Sequence, residues 1–239
     1  MNEKTQFTID PDGKWIYRAG GLSGLLLGIG YLLTIPVTTI YAGGFPPLDT
    51  EARLAFFAEH TAGWWGVTAL MVFTDLLYIP LFLALYHALK RFNKYLIVLA
   101  FVCAGSFVLL DLAVTWTSYS SLIILSGDYI RAASEAQRSI IVAAASYPSA
   151  IIDSPLSAIY AILVPSLGTL FASFVMRKGI FSKTLVYMGV IAGICGILAG
   201  IVPIFTSDFE LFQYINASIV MIWFFLVGLK LNKLGQQTN

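Results

Sequence analysis

Six apolar runs, at about 17–42, 63–89, 95–125, 148–176, 184–206 and 210–230, take up most of the chain. Each is long enough to cross a hydrocarbon layer of about 30 Å, which takes roughly 20 helical residues. A barrel strand needs only roughly 9–11 residues, and a segment in lipid must satisfy its own backbone hydrogen bonds, so the runs predict helices. With 58% of 239 residues hydrophobic, 11% charged and a mean hydropathy of +0.82, the chain cannot clothe a water-soluble surface. The expected fold is all-α: a polytopic integral membrane protein, residues 1–239 forming a single six-helix transmembrane domain.

The basic residues fall on alternate sides of these runs. Lys4, Lys14 and Arg18 precede the first; Lys90, Arg91 and Lys94 join the second and third; Arg177, Lys178 and Lys183 join the fourth and fifth; Lys230 and Lys233 follow the sixth. Eleven of the fourteen Lys and Arg residues thus share one side, against Arg53, Arg131 and Arg138 on the other. The positive-inside rule places both termini in the cytoplasm. The opposite connections carry Asp49, Glu51, Glu59, Asp128, Glu135, Asp208 and Glu210, an acidic outer face. The polar N-terminus with Glu3, Asp10 and Asp12, followed by a run too long for a cleaved signal, predicts a retained signal anchor. A net charge of +1 gives no reason to expect a nucleic-acid partner.

Two outer connections predict short amphipathic helices. Near 50–60, Asp49 and Thr50 can cap a helix with Leu54 and Phe57 on one side, lying along the membrane surface. Near 129–146, Ile130, Ala133, Ala136, Ile140 and Ala144 recur at helical spacing. The stretch from 129 to 176 is too long for one span, so a break is expected at Tyr147-Pro148-Ser149 or at Asp153-Ser154-Pro155.

Function is most visible in three aspartates, Asp75, Asp111 and Asp153, inside three successive apolar runs. A carboxylate within a spanning helix costs about 2.5–3.5 kcal/mol on insertion scales, so it usually faces a cavity, a partner or an ion. Counted from the basic turn, Asp75 and Asp111 both stand roughly 22–26 Å above it at 1.5 Å per residue, and Asp153 stands higher on its own span. The three can line one outward-opening chamber. At α-helical spacing Asp111 shares its face with Thr115 and Ser118, and Asp153 with Ser149, Ser157 and Tyr160. Thr68 and Tyr78 flank Asp75, while Gln213 and Asn216 reach a comparable height on the last span. Asp75, Asp111, Asp153, Thr115, Tyr160 and Asn216 are therefore the candidate ligand- or ion-binding residues. No Lys or Arg interrupts the runs at that depth.

Such a cluster can be neutralised by protons, by a hard cation on oxygen ligands, or by interhelical hydrogen bonds that make the aspartates purely structural. The lack of nearby His and Cys disfavours zinc and copper. His60 and His87 stand too far apart in height for a transmembrane bis-histidine haem, and no lysine within a span can carry retinal. Cys103 and Cys195 lie in apolar runs without paired spacing and predict ordinary packing. No glycine-rich phosphate loop, His-Glu-x-x-His or Gly-x-Ser-x-Gly motif is present. Trp116 can line the chamber or pack on lipid or a neighbouring helix.

The opening Arg18-Ala-Gly-Gly, the segment Ala84-Leu-Tyr-His-Ala-Leu-Lys-Arg91 and the basic turn before Leu185-Val-Tyr-Met-Gly-Val-Ile-Ala-Gly193 resemble a bacterial and archaeal membrane family, domain of unknown function 4386. The resemblance covers most of the chain. It implies a multi-pass protein of the prokaryotic cytoplasmic membrane and carries no catalytic residues with it.

Three functions stay open on the residues alone. The leading expectation is binding or transport of a small cationic or lipophilic ligand through an outward-opening acidic cavity, with the lipid bilayer as surroundings and a proton or cation as coupling partner. The second is an enzyme acting on a lipid with carboxylate acid/base or metal chemistry. The third is a non-catalytic subunit or assembly factor whose polar faces dock a membrane-protein partner.

Overall fold

The computed structural model describes residues 13–205 and 210–236, with the side chains of 203 and 210–214 excluded. The N-terminal residues Glu3, Lys4, Asp10 and Asp12, together with Asp208 and the side chains of Glu210 and Gln213, lie outside this description. The described residues are almost wholly helical and contain no strand. Six helices are long and apolar enough to cross a membrane: Lys14–Tyr41, Thr61–Leu89, Lys94–Arg131, Pro155–Met176, Lys183–Ile201 and Ile215–Gln236.

Three of these spans are interrupted by a wider, π-helical turn. The first is α1 (Lys14–Pro36) continued by a π turn at Val37–Tyr41. After α2 (Thr50–Glu59) the second span is α3 (Thr61–Leu89). The third joins α4 (Lys94–Leu110) to α5 (Thr117–Arg131) through a π turn at Asp111–Trp116. It is followed by α6 (Glu135–Asp153). The fourth span is α7 (Pro155–Ala158), a π turn at Ile159–Leu163 and α8 (Val164–Met176). Then come α9 (Lys183–Ile201) and α10 (Glu210–Gln236).

The span helices close into a ring in which α1 touches α10 and α3, α3 touches α4, α4 touches α8, α8 touches α9, and α9 touches α10. Short connections fix which ends lie together. Lys90, Arg91, Lys94, Arg177, Lys178 and Lys183 mark one end, the basic end, with the start of α1 and the finish of α10. The connections through α2 and α6 mark the other, the acidic end.

Local chemistry explains the boundaries. Asp49 caps α2, its Oδ1 accepting from Ala52 N at 2.8 Å. Asn93, Ser134 and Ser182 cap α4, α6 and α9 in the same way. The chain breaks at Asp153-Ser154-Pro155: Ser154 is extended and caps the turn that Pro155 starts. Pro148 instead sits inside α6, which runs past it. Thus the expected outer helix near 129–146 is divided differently: residues 129–131 finish α5, and α6 covers 135–153. The helix near 50–60 is present, but Arg53, Leu54 and Phe57 are buried against α5 and α6 rather than laid on a surface. His60 is half-buried, its Nδ1 3.0 Å from Phe56 O and its ring against Gly43, which holds φ +74° where a Cβ would strike that ring.

Two separate apolar clusters result. The larger fills the basic half, with Leu27, Leu81, Phe82, Leu85, Ile97, Trp223, Phe224 and Leu231 inaccessible to solvent. The smaller lies beneath α2 at the acidic end and contains Leu54, Phe57, Trp64, Val67, Leu122 and Ile123. On α3 the residues between the two clusters include Thr68, Thr74 and Asp75; on the third span they include Asp111 and Thr115. Cys103 and Cys195 are both free thiols, half-buried within spans.

Candidate functional site

The polar layer between the clusters is held by the π turn at Asp111–Trp116. In an α-helix residues five apart point about 140° away from each other at 3.6 residues per turn. The wider turn, with its i to i+5 hydrogen bonding, brings Trp116 round to the side on which Asp111 lies. Both then face α3: Trp116 Nε1 donates to Asp75 Oδ2 at 2.7 Å, and Asp111 lies close enough to Asp75, Thr115 and Trp116 to interact with each.

Asp75 is wholly inaccessible and Asp111 is 5% exposed. The second oxygen of each, Asp75 Oδ1 and Asp111 Oδ1, has no donor from the protein. Ionised carboxylates only accept hydrogen bonds. Their close approach therefore satisfies neither of them unless a proton or a cation lies between. No Lys or Arg occurs from 54 to 89 or from 95 to 130, so the two helices themselves supply no counter-charge.

Asp153 belongs elsewhere. It accepts from Arg53 Nη2 through both oxygens, each at 2.9 Å, and Arg53 also donates to Pro47 O at 2.7 Å. The arginine side chain is 2% exposed and the carboxylate side chain 33%. The expected three-carboxylate chamber is thus split into a closed pair, Asp75 and Asp111, and an ion pair that ties α2 to the end of α6. Between them stand stacked rings, Trp64 on Tyr119 at 5.4 Å and Tyr119 on Trp116 at 5.5 Å.

Thr115 and Tyr160 meet each other, their hydroxyl oxygens 3.1 Å apart. Tyr160 is carried on the π turn Ile159–Leu163. That turn precedes Pro165, which lacks an N–H and whose ring crowds the carbonyl four residues earlier, a recognised cause of such local widening.

A cavity of about 470 Å³ opens beside this layer, walled by α1 and its π turn, by the π turn and start of α8, and by α10. Its floor is buried: Tyr78, Ser166 and Thr169 are all under 7% exposed. Tyr78 lies one turn after Asp75 on α3, and its hydroxyl is 3.0 Å from that of Tyr31 on α1. Asn216 also lines the cavity, with a buried Oδ1 that no protein donor reaches. Among the described residues the lining holds hydroxyls, an amide and apolar groups but no charged side chain. The cavity is therefore not the acidic chamber expected from the three aspartates; the carboxylate pair stands behind its tyrosine floor.

Sequence reasoning missed Tyr31, Ser166 and Thr169, which look like ordinary interruptions of apolar runs. It also undervalued Trp116, since α-helical spacing turns that residue away from Asp111. Among the described residues no group of three or more His, Cys, Asp or Glu side chains is arranged to hold a metal ion. No protein-family model, curated protein or solved structure matches the chain.

Proposed function

We propose that this chain is a multi-pass membrane protein, its termini on the cytoplasmic side, that binds a small lipophilic or cationic ligand in the cavity between α1, α3, α8 and α10. Occupancy is coupled to what neutralises Asp75 and Asp111. The observation that carries this reading is the pair of enclosed carboxyls, each with an oxygen lacking a protein donor, one helical turn from the tyrosine that floors the cavity.

The physics of the reading is a compensation. An unpaired buried carboxylate pays a large desolvation penalty, so the pair takes a proton or a cation whenever one can reach it. Trp116 Nε1 and the Tyr78–Tyr31 hydroxyls are the groups through which that event changes the cavity wall. The positive-inside distribution of the basic residues supports the orientation.

The test is thermal stability of the purified protein across pH and a panel of mono- and divalent cations, for wild type, Asp75→Asn and Asp111→Asn, with tryptophan fluorescence recorded alongside. The expected result is a proton- or cation-dependent gain in Tm and an emission change that either substitution removes. A wild type indifferent to every cation and to pH, with both variants neutral, makes the aspartates structural and ends this reading.

A further inference from the structure

The seam between α1 and α10 is closed at one end and open at the other. In the basic half, a Cβ on Gly24 would come within 2.8 Å of Gly228 Cα, and one on Gly21 within 2.6 Å of Asn232 N. Toward the acidic half the same two helices supply opposite walls of the cavity. On each, residues that line it are also exposed on the outer flank: Ile35 on α1 and Thr39 on the π turn that continues it, Ala217 and Ser218 on α10. Ile35 continues an exposed apolar strip with Leu32 and Leu33. A cavity with such a rim opens sideways, into the apolar surroundings of the bundle.

The inner polar groups restrict what can enter. A charged head would lose its hydration against a lining without counter-charge. Asn216 Oδ1 lacks a donor. The Tyr31 and Tyr78 hydroxyls share one hydrogen bond, which leaves one of the two protons free to be donated. A hydroxyl group complements both stations, because it donates and accepts; it would serve Asn216 in either orientation of the amide. The volume, about 470 Å³, lies in the range of single drug-sized ligands.

From this we infer that the cavity takes an uncharged, hydroxyl-headed lipophile that enters laterally between α1 and α10, its head at Tyr31, Tyr78 and Asn216 and its tail along Ile35 and Met221. The inference rests on the ligand-binding reading above and narrows its ligand class.

The experiment uses the full chain in nanodiscs and three probes of equal length: 1-dodecanol, dodecanoate and dodecylammonium. Binding is read by native mass spectrometry and by Tm shift, for wild type, Asn216→Leu, Tyr31→Phe and Ala217→Trp. Ala217 is exposed, so the bulky side chain narrows the opening without entering the core. Dodecanol is expected to bind saturably, one per chain, at least tenfold tighter than either charged probe. Asn216→Leu is expected to weaken it about tenfold and Ala217→Trp to abolish it. If dodecylammonium binds tightest and Asp75→Asn removes it, the hydroxyl inference falls and the cavity remains a site for cations. If dodecanol binding survives Ala217→Trp, lateral access falls. If no probe binds saturably, the ligand-binding reading falls with it.

Discussion

At Gly24 and Gly228 the first and last described spans meet backbone to backbone; some ten residues further along α1 the same two helices stand apart and wall a cavity. The basic half is built as a close-packed solid, with small residues letting helices approach and a continuous apolar cluster filling the ring. Gly20 faces Ala84, Gly179 faces Leu89, and Trp223 Nε1 donates to Leu185 O at 3.1 Å. The acidic half is built from interruptions: three π turns, a second small cluster, an arginine–aspartate tie and a layer of incompletely paired polar groups. Small-residue contact is what holds helices together where lipid removes the hydrophobic drive between them. Where that contact is given up, room for a ligand appears.

The largest effect is expected at the glycine seam. Gly24→Leu is expected to cost roughly 2–3 kcal/mol or to prevent folding, because its side chain has only Gly228 and the Phe224 carbonyl to displace; a Tm in detergent close to wild type would refute close packing there. At the acidic end, Arg53→Ala should cost about 2 kcal/mol, below the 3–5 of a fully buried pair because part of Asp153 is wetted. The double variant Arg53→Met, Asp153→Leu should recover most of that loss, and a double variant no better than the single would place the cost elsewhere.

Smaller effects are expected at single side chains. Trp116→Phe removes the donor to Asp75 and should cost about 1.5 kcal/mol, as for hydrogen bonds to charged groups. It should also abolish the emission change with pH or cations; a preserved change would assign that change to another of the five tryptophans. Asp75→Asn should be neutral or stabilising by up to about 1 kcal/mol, since an amide carries no charge to desolvate. Last, Gly105→Ala, at a position with nothing within 4 Å of the added carbon, should raise stability by about 0.5 kcal/mol through helix propensity alone, and a marked loss would show that the open flank of α4 is covered.

Much of this architecture can be read from residue order, because lipid-spanning length and charge alternation are one-dimensional properties. The six apolar helices, the cap at Asp49 and the common height of Asp75 and Asp111 follow from counting. The counting fails where the helix stops being α. Asp111 and Ser118 share a face only at 3.6 residues per turn; the π turn shifts Ser118 away and brings Trp116 inward, while Thr115 stays beside Asp111. Nor does spacing reveal that Arg53 reaches Asp153, one hundred residues away, since Arg53 reads as a surface residue of an amphipathic helix. The cavity arises from the parting of α1 and α10, and a divergence between two helices has no local signature in either.

The closure of the ring by α1 and α10 also sets a temporal order on assembly. Arg18 Nε donates to Gly235 O across 217 positions of sequence. During synthesis Gly21, Gly24 and Gly28 of α1 have no partner until α10 has been made, whereas Gly20 can already meet Ala84 of α3. Every intermediate shorter than that is an open arc, with one cavity wall missing and α3 as the neighbour already available to α1. Premature termination before 215 would therefore remove more than a helix: it would leave Gly21 and Gly24 of α1 without the backbone they pack against and the cavity without a wall.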